Sequence, residues 1–254
     1  MYQPRTYRHW VQDKSLVGFN TVVKETDLYI RAQSDLKRQA QKLVLKYRRQ
    51  LEGYIERHPQ FLDSLEPLAV ENAPRLVTEM AEAAKKTGVG PMAAVAGAIA
   101  EFVGRELLEL SPEVIVENGG DIFLKSSGDR VIGIYAGPSP LTGKVGLEIK
   151  GKDTPLGICT SSGTVGHSLS YGQADAVIAL SKSTALADAA ATAIGNIVQS
   201  ADDIPRGIER AIGIRGVNGV IIIKDDKIGL WGKVEIRPVS EPLKEKKLAT
   251  RGVP

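Results

Sequence analysis

The stretch Thr184-Ala185-Leu186-Ala187-Asp188-Ala189-Ala190-Ala191-Thr192-Ala193-Ile194-Gly195-Asn196-Ile197-Val198-Gln199-Ser200 decides how this chain reads. Leu186, Ala190, Ala193 and Ile197 recur at helical spacing, while Thr184, Asp188, Thr192 and Asn196 follow one another at i, i+4 along another face. An exposed helix fills such a face with Lys, Glu and Arg, yet Asp188 is the one charged residue between Ser183 and Ala201. The spacing therefore predicts a helix buried all round, with one carboxylate inside it. A buried carboxylate is costly unless it is hydrogen-bonded, ion-paired or metal-bound. Two readings follow. Asp188 hydrogen-bonds Thr184, Thr192 or a nearby backbone group, or its carboxylate joins the Thr192 hydroxyl and a substrate's phosphates around Mg²⁺.

Working outward, Asp175 to Leu180 reads as a strand feeding the helix, with Asp175 at its start, either approaching a pocket or capping a turn. Upstream, Leu156 to Cys159 reads as a core strand, and the lone cysteine, Cys159, reads as a packing residue. Next come Thr160-Ser161-Ser162-Gly163-Thr164-Val165-Gly166-His167-Ser168, hydroxyls and glycines able to offer side-chain and backbone donors to phosphate, without a Walker lysine. His167 is a base, a ligand contact or a structural histidine. Val114 to Val116 and Ile122 to Leu124 flank Glu117-Asn118-Gly119-Gly120-Asp121, where paired glycines serve either a plain turn or a ligand's close approach.

Three of these segments together resemble the ApbE-like family, the FAD:protein FMN transferases. Ala187-Asp188-Ala189-Ala190-Ala191-Thr192-Ala193 is similar to the family's Ala-Asp-Ala-Leu-Ala-Thr-Ala, and Asn118-Gly119-Gly120-Asp121-Ile122 and Thr160-Ser161-Ser162-Gly163 match its Asn-x-Gly-Gly-Asp-Ile and Thr-Ser-Gly elements in order. The resemblance spans roughly Gly90 to Val198. It implies that Asp188 and Thr192 hold Mg²⁺, that Asn118, Gly119, Gly120, Asp121, Thr160, Ser161, Ser162 and Gly163 line the site of FAD or a related nucleotide, and that His167 or Asp175 supplies a base. Two departures stand out. After the Thr-Ser-Gly element the family carries His-x-x-Asp-Pro-x-Thr-Gly, whereas this chain has His167-Ser168-Leu169-Ser170-Tyr171-Gly172. Where the family has a Lys-Gly-Tyr-Ala-x-Asp helix, alignment on Ala100-Glu101 puts Gly97 at the Asp.

The chain has 254 residues and a net charge of +3, compatible with one domain and carrying no global signal for nucleic acid. No apolar run approaches a membrane span and the N-terminus has no apolar leader region, so a soluble, cytoplasmic protein is expected although many ApbE-like proteins are exported. Thr6 to Val11, Leu16 to Val23 and Leu28 to Arg31 read as an antiparallel meander. Ser34-Asp35 caps a helix to Pro59 whose basic face (Lys37, Arg38, Lys42, Lys46, Arg48, Arg49) reads as solvated. Pro74 to Thr87 and Pro91 to Leu110 read as helices, the latter opening on small residues that permit close approach. Val131 to Tyr135 and Val145 to Ile149 read as strands, Ile204 to Ile212 as a helix, Val217 to Ile223 with Ile228 to Trp231 as a hairpin closing the sheet, and the tail from Ser240 as poorly ordered.

The expected fold class is α+β, an ApbE-like fold of mixed or antiparallel sheets with buried small-residue helices. The expected function is that of a Mg²⁺-dependent enzyme acting on flavin or a related phosphate-bearing nucleotide, in its sharpest form FMN transfer to a protein acceptor. The alternatives are a non-catalytic nucleotide-binding protein and a different small-molecule enzyme of cofactor biosynthesis. Neither nucleic acid nor membrane is an expected partner, and a homodimer is left open.

Overall fold

The computed structural model describes residues 16–165 and 171–239. The proposed strand Thr6 to Val11, His167, Ser168 and the tail from Ser240 lie outside the described residues. In chain order, β1 (Val17–Val23) and β2 (Thr26–Ala32) form a hairpin, followed by α1 (Lys37–Arg57), α2 (Gln60–Asp63) and α3 (Arg75–Thr87). A 3₁₀ turn, Pro91–Ala94, runs into α4 (Val95–Leu107), and then come β3 (Val114–Asn118), β4 (Asp121–Lys125), β5 (Arg130–Gly133), β6 (Val145–Ile149) and β7 (Leu156–Ser161). β8 (Ala176–Ser181), α5 (Thr184–Gly195), α6 (Ile204–Gly213), β9 (Val217–Lys224), β10 (Lys227–Gly232) and β11 (Glu235–Pro238) complete the order.

An eight-stranded sheet runs β1-β2-β3-β4-β7-β8-β9-β10, with every neighbouring pair antiparallel. The two hairpins read from the sequence are thus its two ends. The period of two splits its central strands between two cores. Val114, Val116, Phe123, Val177, Ala179, Val220 and Ile222 pack under the helices. Ile115, Ile122, Leu124, Ile178, Leu180, Ile221 and Ile223 pack against Ile132, Ile134, Leu147 and Ile149 on the other face. Because both faces are covered, these strands are apolar at almost every position. The second face is closed by a three-stranded sheet, β11-β6-β5, so the segments read as two more strands belong to a separate layer. Its strand β11 escaped the sequence reading because all four of its residues are exposed and carry no apolar alternation.

Local sequence explains the helix ends. Asp35 accepts the Lys37 N–H at 2.9 Å at the start of α1. Gly88 ends α3 at φ +73°, a left-handed cap that glycine adopts without penalty. The small-residue segment read as one helix begins as the 3₁₀ turn, and the Asp188 helix stops at Gly195 rather than at Ser200. Beyond Gly195, Asn196 accepts the Tyr171 N–H at 3.0 Å and Val198 accepts the Gln173 N–H at 2.8 Å, so this stretch serves the neighbouring loop. Among the described residues no single helix is long and apolar enough to cross a membrane.

Candidate functional site

α5 is buried on nearly every side, and the two of its residues that keep some surface open are Asp188 and Thr192. The pair stands one turn apart, and Asp188 lies where α4 and α5 meet the β3–β4 turn and β7. Thr184, the first of the four polar residues on this face, is fully buried instead, and Asn196 holds the Tyr171 backbone.

α4 and α5 lock together by exchanging carboxylates at their N-terminal ends. Asp188 Oδ2 accepts the Gly97 N–H at 2.8 Å, with Ala96 N–H as a further donor, filling groups that the first turn of α4 leaves without helical partners. In return Glu101, fully buried on α4, accepts the Thr184 N–H at 2.6 Å and pairs with Arg105 at 2.5 Å. Ser183 accepts the Leu186 N–H at 3.2 Å and completes the α5 cap. The helices approach so closely that a Cβ on Gly97 would lie 2.5 Å from the Thr184 carbonyl oxygen and 2.8 Å from Asp188 Cβ. Glycine stands at the position of the family's Asp because this contact leaves no room for a side chain. Sequence reading flagged the small residues; it did not find the role of Glu101, which carries no periodic signal.

The β3–β4 connection is a two-residue hairpin turn, with Gly119 at φ +68° and Gly120 at φ +107° and Asn118 paired with Asp121. The glycines make the turn; its flanking side chains do the contacting. Asn118 Nδ2 donates to the Ala96 carbonyl at 3.0 Å, and Asp121 Oδ1 accepts the Thr160 N–H at 3.2 Å. Asp121 also comes within electrostatic reach of Asp188. Burial pushes the Asp121 carboxyl up to about 7, assisted by the charge of Glu117 and opposed by hydrogen bonds from the Cys159 thiol and the Thr160 N–H. Burial, and then the charge of Asp121, holds the Asp188 carboxyl well above the usual carboxylate range against the N–H groups of Gly97 and Ala96. No Lys or Arg is among the groups that set either ionisation. Cys159 is fully buried, and burial together with both carboxylates raises its thiol, which makes it a packing residue as read.

Thr160 and Ser161 belong to β7 rather than to the loop after it. Among the described residues of the following loop, three N–H groups are spent inside the protein: Gly163 donates to the Ala174 carbonyl at 2.9 Å, and Thr164 and Val165 donate to Ser162 Oγ at 3.1 Å and 3.0 Å. Thr160 and Ser161 are both partly open but stand on opposite faces of β7: Ser161 shares the α5 face with Gly157 and Cys159, and Thr160 shares the other face with Leu156 and Ile158. Asp175 is almost fully buried and both its oxygens are engaged, one by the Thr164 hydroxyl at 3.1 Å and the other by the Asp225 N–H at 2.7 Å.

Asn118, Asp121, the Thr160 N–H and Asp188 are thus brought together, with Thr192 one turn from Asp188 on α5, while Asp175 holds the Thr164 hydroxyl and the Asp225 N–H. The donor set is of the kind a hard divalent cation uses: one carboxylate and a hydroxyl a turn away, with a second acid, Asp121, nearby. Among the described residues no group of three His, Cys, Asp or Glu side chains forms a metal cage, so any such ion would complete its shell with water and ligand oxygens. A separate hollow of about 370 Å³ lies between α1, α3 and α4 beside Lys46, Tyr47, Arg75, Phe102 and Arg105. Its cations are already held, Lys46 by Glu106, Arg75 by Glu79 and Arg105 by Glu101, as expected of a solvated charged face.

The AbpE bacteria family description matches residues 8–213. A UPF0280 protein of Methanocaldococcus jannaschii is 44% identical over 220 residues, 84% of this chain and 89% of that protein. The flavin transferase ApbE from Vibrio cholerae superposes with a TM-score of 0.57 at 17% identity, over 85% of this chain and 96% of that one. The Pseudomonas stutzeri flavinyl transferase ApbE in its apo form gives 0.58 at 14% identity, over 87% and 96%. At these identities the two structures speak for the fold, and the sequence matches speak for descent. The chain belongs to the ApbE-like family described as AbpE bacteria and, within it, stands with the UPF0280 proteins.

Proposed function

We propose that this protein binds a flavin nucleotide, FAD or a close relative, together with Mg²⁺ at Asp188 and Thr192, and acts as a transferase on it. The observation that carries this reading is the opening of α5: on an otherwise buried helix, the exposed surface coincides with a carboxylate and a hydroxyl one turn apart. A divalent cation would displace the proton that burial keeps on Asp188 and give a phosphate a positive partner there, which supports joint binding of metal and nucleotide. The ion would neutralise the pyrophosphate and polarise the phosphorus. The chain's own residues supply the rest. Gly97 N–H holds the Asp188 carboxyl, the Ser161 hydroxyl on the α5 face of β7 binds a phosphate oxygen, and the Gly119-Gly120 turn admits the ligand close to backbone. A protein hydroxyl would attack the flavin-side phosphorus, AMP would leave, and His167 is proposed to take the hydroxyl proton.

A second reading, a nucleotide-binding protein without transfer, is favoured by the internal use of the loop N–H groups and by the missing Asp-Pro-x-Thr-Gly element. Flavin fluorescence and in-gel fluorescence separate the two. Added FAD should be quenched by the protein at least about tenfold more tightly with Mg²⁺ than without, and incubation with FAD, Mg²⁺ and host lysate should label a protein with covalent flavin. Quenching without labelling selects the binder; no quenching by FAD or by a nucleotide panel overturns both.

A further inference from the structure

Asp175 has a place in the fold that a free base would not need. Its backbone N–H donates to the Ile223 carbonyl at 2.9 Å, and its carboxylate joins two further segments to the start of β8. Oδ1 takes the Thr164 hydroxyl from the loop after β7, and Oδ2 takes the Asp225 N–H from the β9–β10 turn. The Asp225 carbonyl in turn accepts the Ser139 hydroxyl at 2.6 Å from the loop after β5. Packing follows the same path, since a Cβ on Gly137 would lie 2.4 Å from Val165 Cγ2 and 3.3 Å from Thr164 Oγ1. The Ser162–Val165 segment is thereby tied to the body of the sheet through this buried carboxylate, in addition to the Gly163 N–H to Ala174 carbonyl bond. Ser162 Oγ, accepting two N–H groups, shapes the segment but gives it no hold on the sheet.

We propose that Asp175 is a positioning residue: through the Thr164 hydroxyl it holds Ser162–Val165, the segment just beyond the β7–β8 ladder that fixes Thr160 and Ser161, in the geometry that receives the nucleotide's phosphates beside Ser161. The latch itself stands on the hydrogen bonds above; its consequence for affinity rests on the flavin reading. A hydroxyl donating to a buried carboxylate is a charge-assisted bond whose loss leaves that carboxylate short of a donor.

The test uses the full chain with Thr164→Val, which keeps the side chain's shape without the donor, Thr164→Ser, which restores the hydroxyl, and Asp175→Asn. Hydrogen exchange in the peptide covering residues 160–165 should speed up about tenfold in Thr164→Val and in Asp175→Asn, and return to the unsubstituted rate in Thr164→Ser. With Mg²⁺ present, FAD affinity should fall about fivefold in the first two variants and recover in Thr164→Ser, while Mg²⁺ binding measured without flavin stays unchanged. Unaltered exchange in Thr164→Val overturns the latch. Faster exchange with undiminished FAD affinity overturns its positioning role. An unsubstituted protein that binds no FAD overturns the flavin reading and the affinity half of this proposal, and the exchange measurement still decides the latch.

Discussion

Gly97→Ala is expected to destabilise the protein by about 3 kcal/mol, lowering Tm by about 6 to 12 °C, although alanine is the better helix former. The new methyl would meet the Thr184 carbonyl and the Asp188 Cβ at distances that real Cβ atoms do not tolerate, and neither is the end of a flexible side chain. α4 and α5 would have to separate, stretching the Gly97 N–H to Asp188 bond and its counterpart from Thr184 to Glu101. Gly53→Ala, in α1 with open space around the added methyl, is the control and should stabilise by about 0.5 to 1 kcal/mol. Thermal melts of the two variants decide the matter; equal shifts would show that the α4–α5 contact is slack.

The second large effect is a fall in stability as pH rises through the neutral range. Asp121 titrates at about 7 in the folded protein, and Asp188 is also raised, while both revert to ordinary values on unfolding. Between about pH 4 and 7 the folded chain keeps a proton that the unfolded chain has lost. Raising the pH therefore favours unfolding, by about 1.4 kcal/mol per pH unit for each group titrating in this way. The loss due to Asp121 levels off above about pH 7. Asp129, Asp203 and Glu113 are lowered, so their opposite contribution is confined to more acid pH and leaves pH 5 to 7 as the window to examine. Tm measured across that window in chelator should decline, and Asp188→Asn should flatten the decline. A level profile in the unsubstituted protein would mean that both carboxyls ionise freely.

Much of this architecture is legible in the sequence because it rests on local patterns. Helical periodicity, Asp35 and Gly88 mark α1 and α3, and alternation with turn residues marks both end hairpins. The core strands are visible as apolar runs, but nothing in them says which face each residue serves, so the layer formed by β5, β6 and β11 could not be foreseen. Asp188 and Thr192 stand out in the sequence as polar residues of an apolar helix, and motif order points to Asn118 to Asp121 and Thr160, of which Asn118, Asp121 and the Thr160 N–H lie near Asp188. Glu101 did not stand out, because an acid on a helix is ordinary until its partner, the Thr184 N–H, is known. Asp175 and the loop N–H groups failed to show their engagement for the same reason: their partners at Thr164, Asp225 and Ala174 are joined by tertiary contacts.

The central claim is that Asp188, with Thr192, presents a divalent-ion site as well as capping α4. Asp188→Asn separates the two roles, since an amide oxygen still accepts the Gly97 N–H but is a far weaker Mg²⁺ ligand. Isothermal titration of Mg²⁺ into the unsubstituted protein, Asp188→Asn and Thr192→Val is the direct measurement. The account predicts binding by the unsubstituted protein, weakening of about tenfold in Thr192→Val and no detectable binding in a folded Asp188→Asn. Equal Mg²⁺ affinity in the unsubstituted protein and Asp188→Asn, or no Mg²⁺ binding by either, would contradict it and leave Asp188 as a helix cap alone.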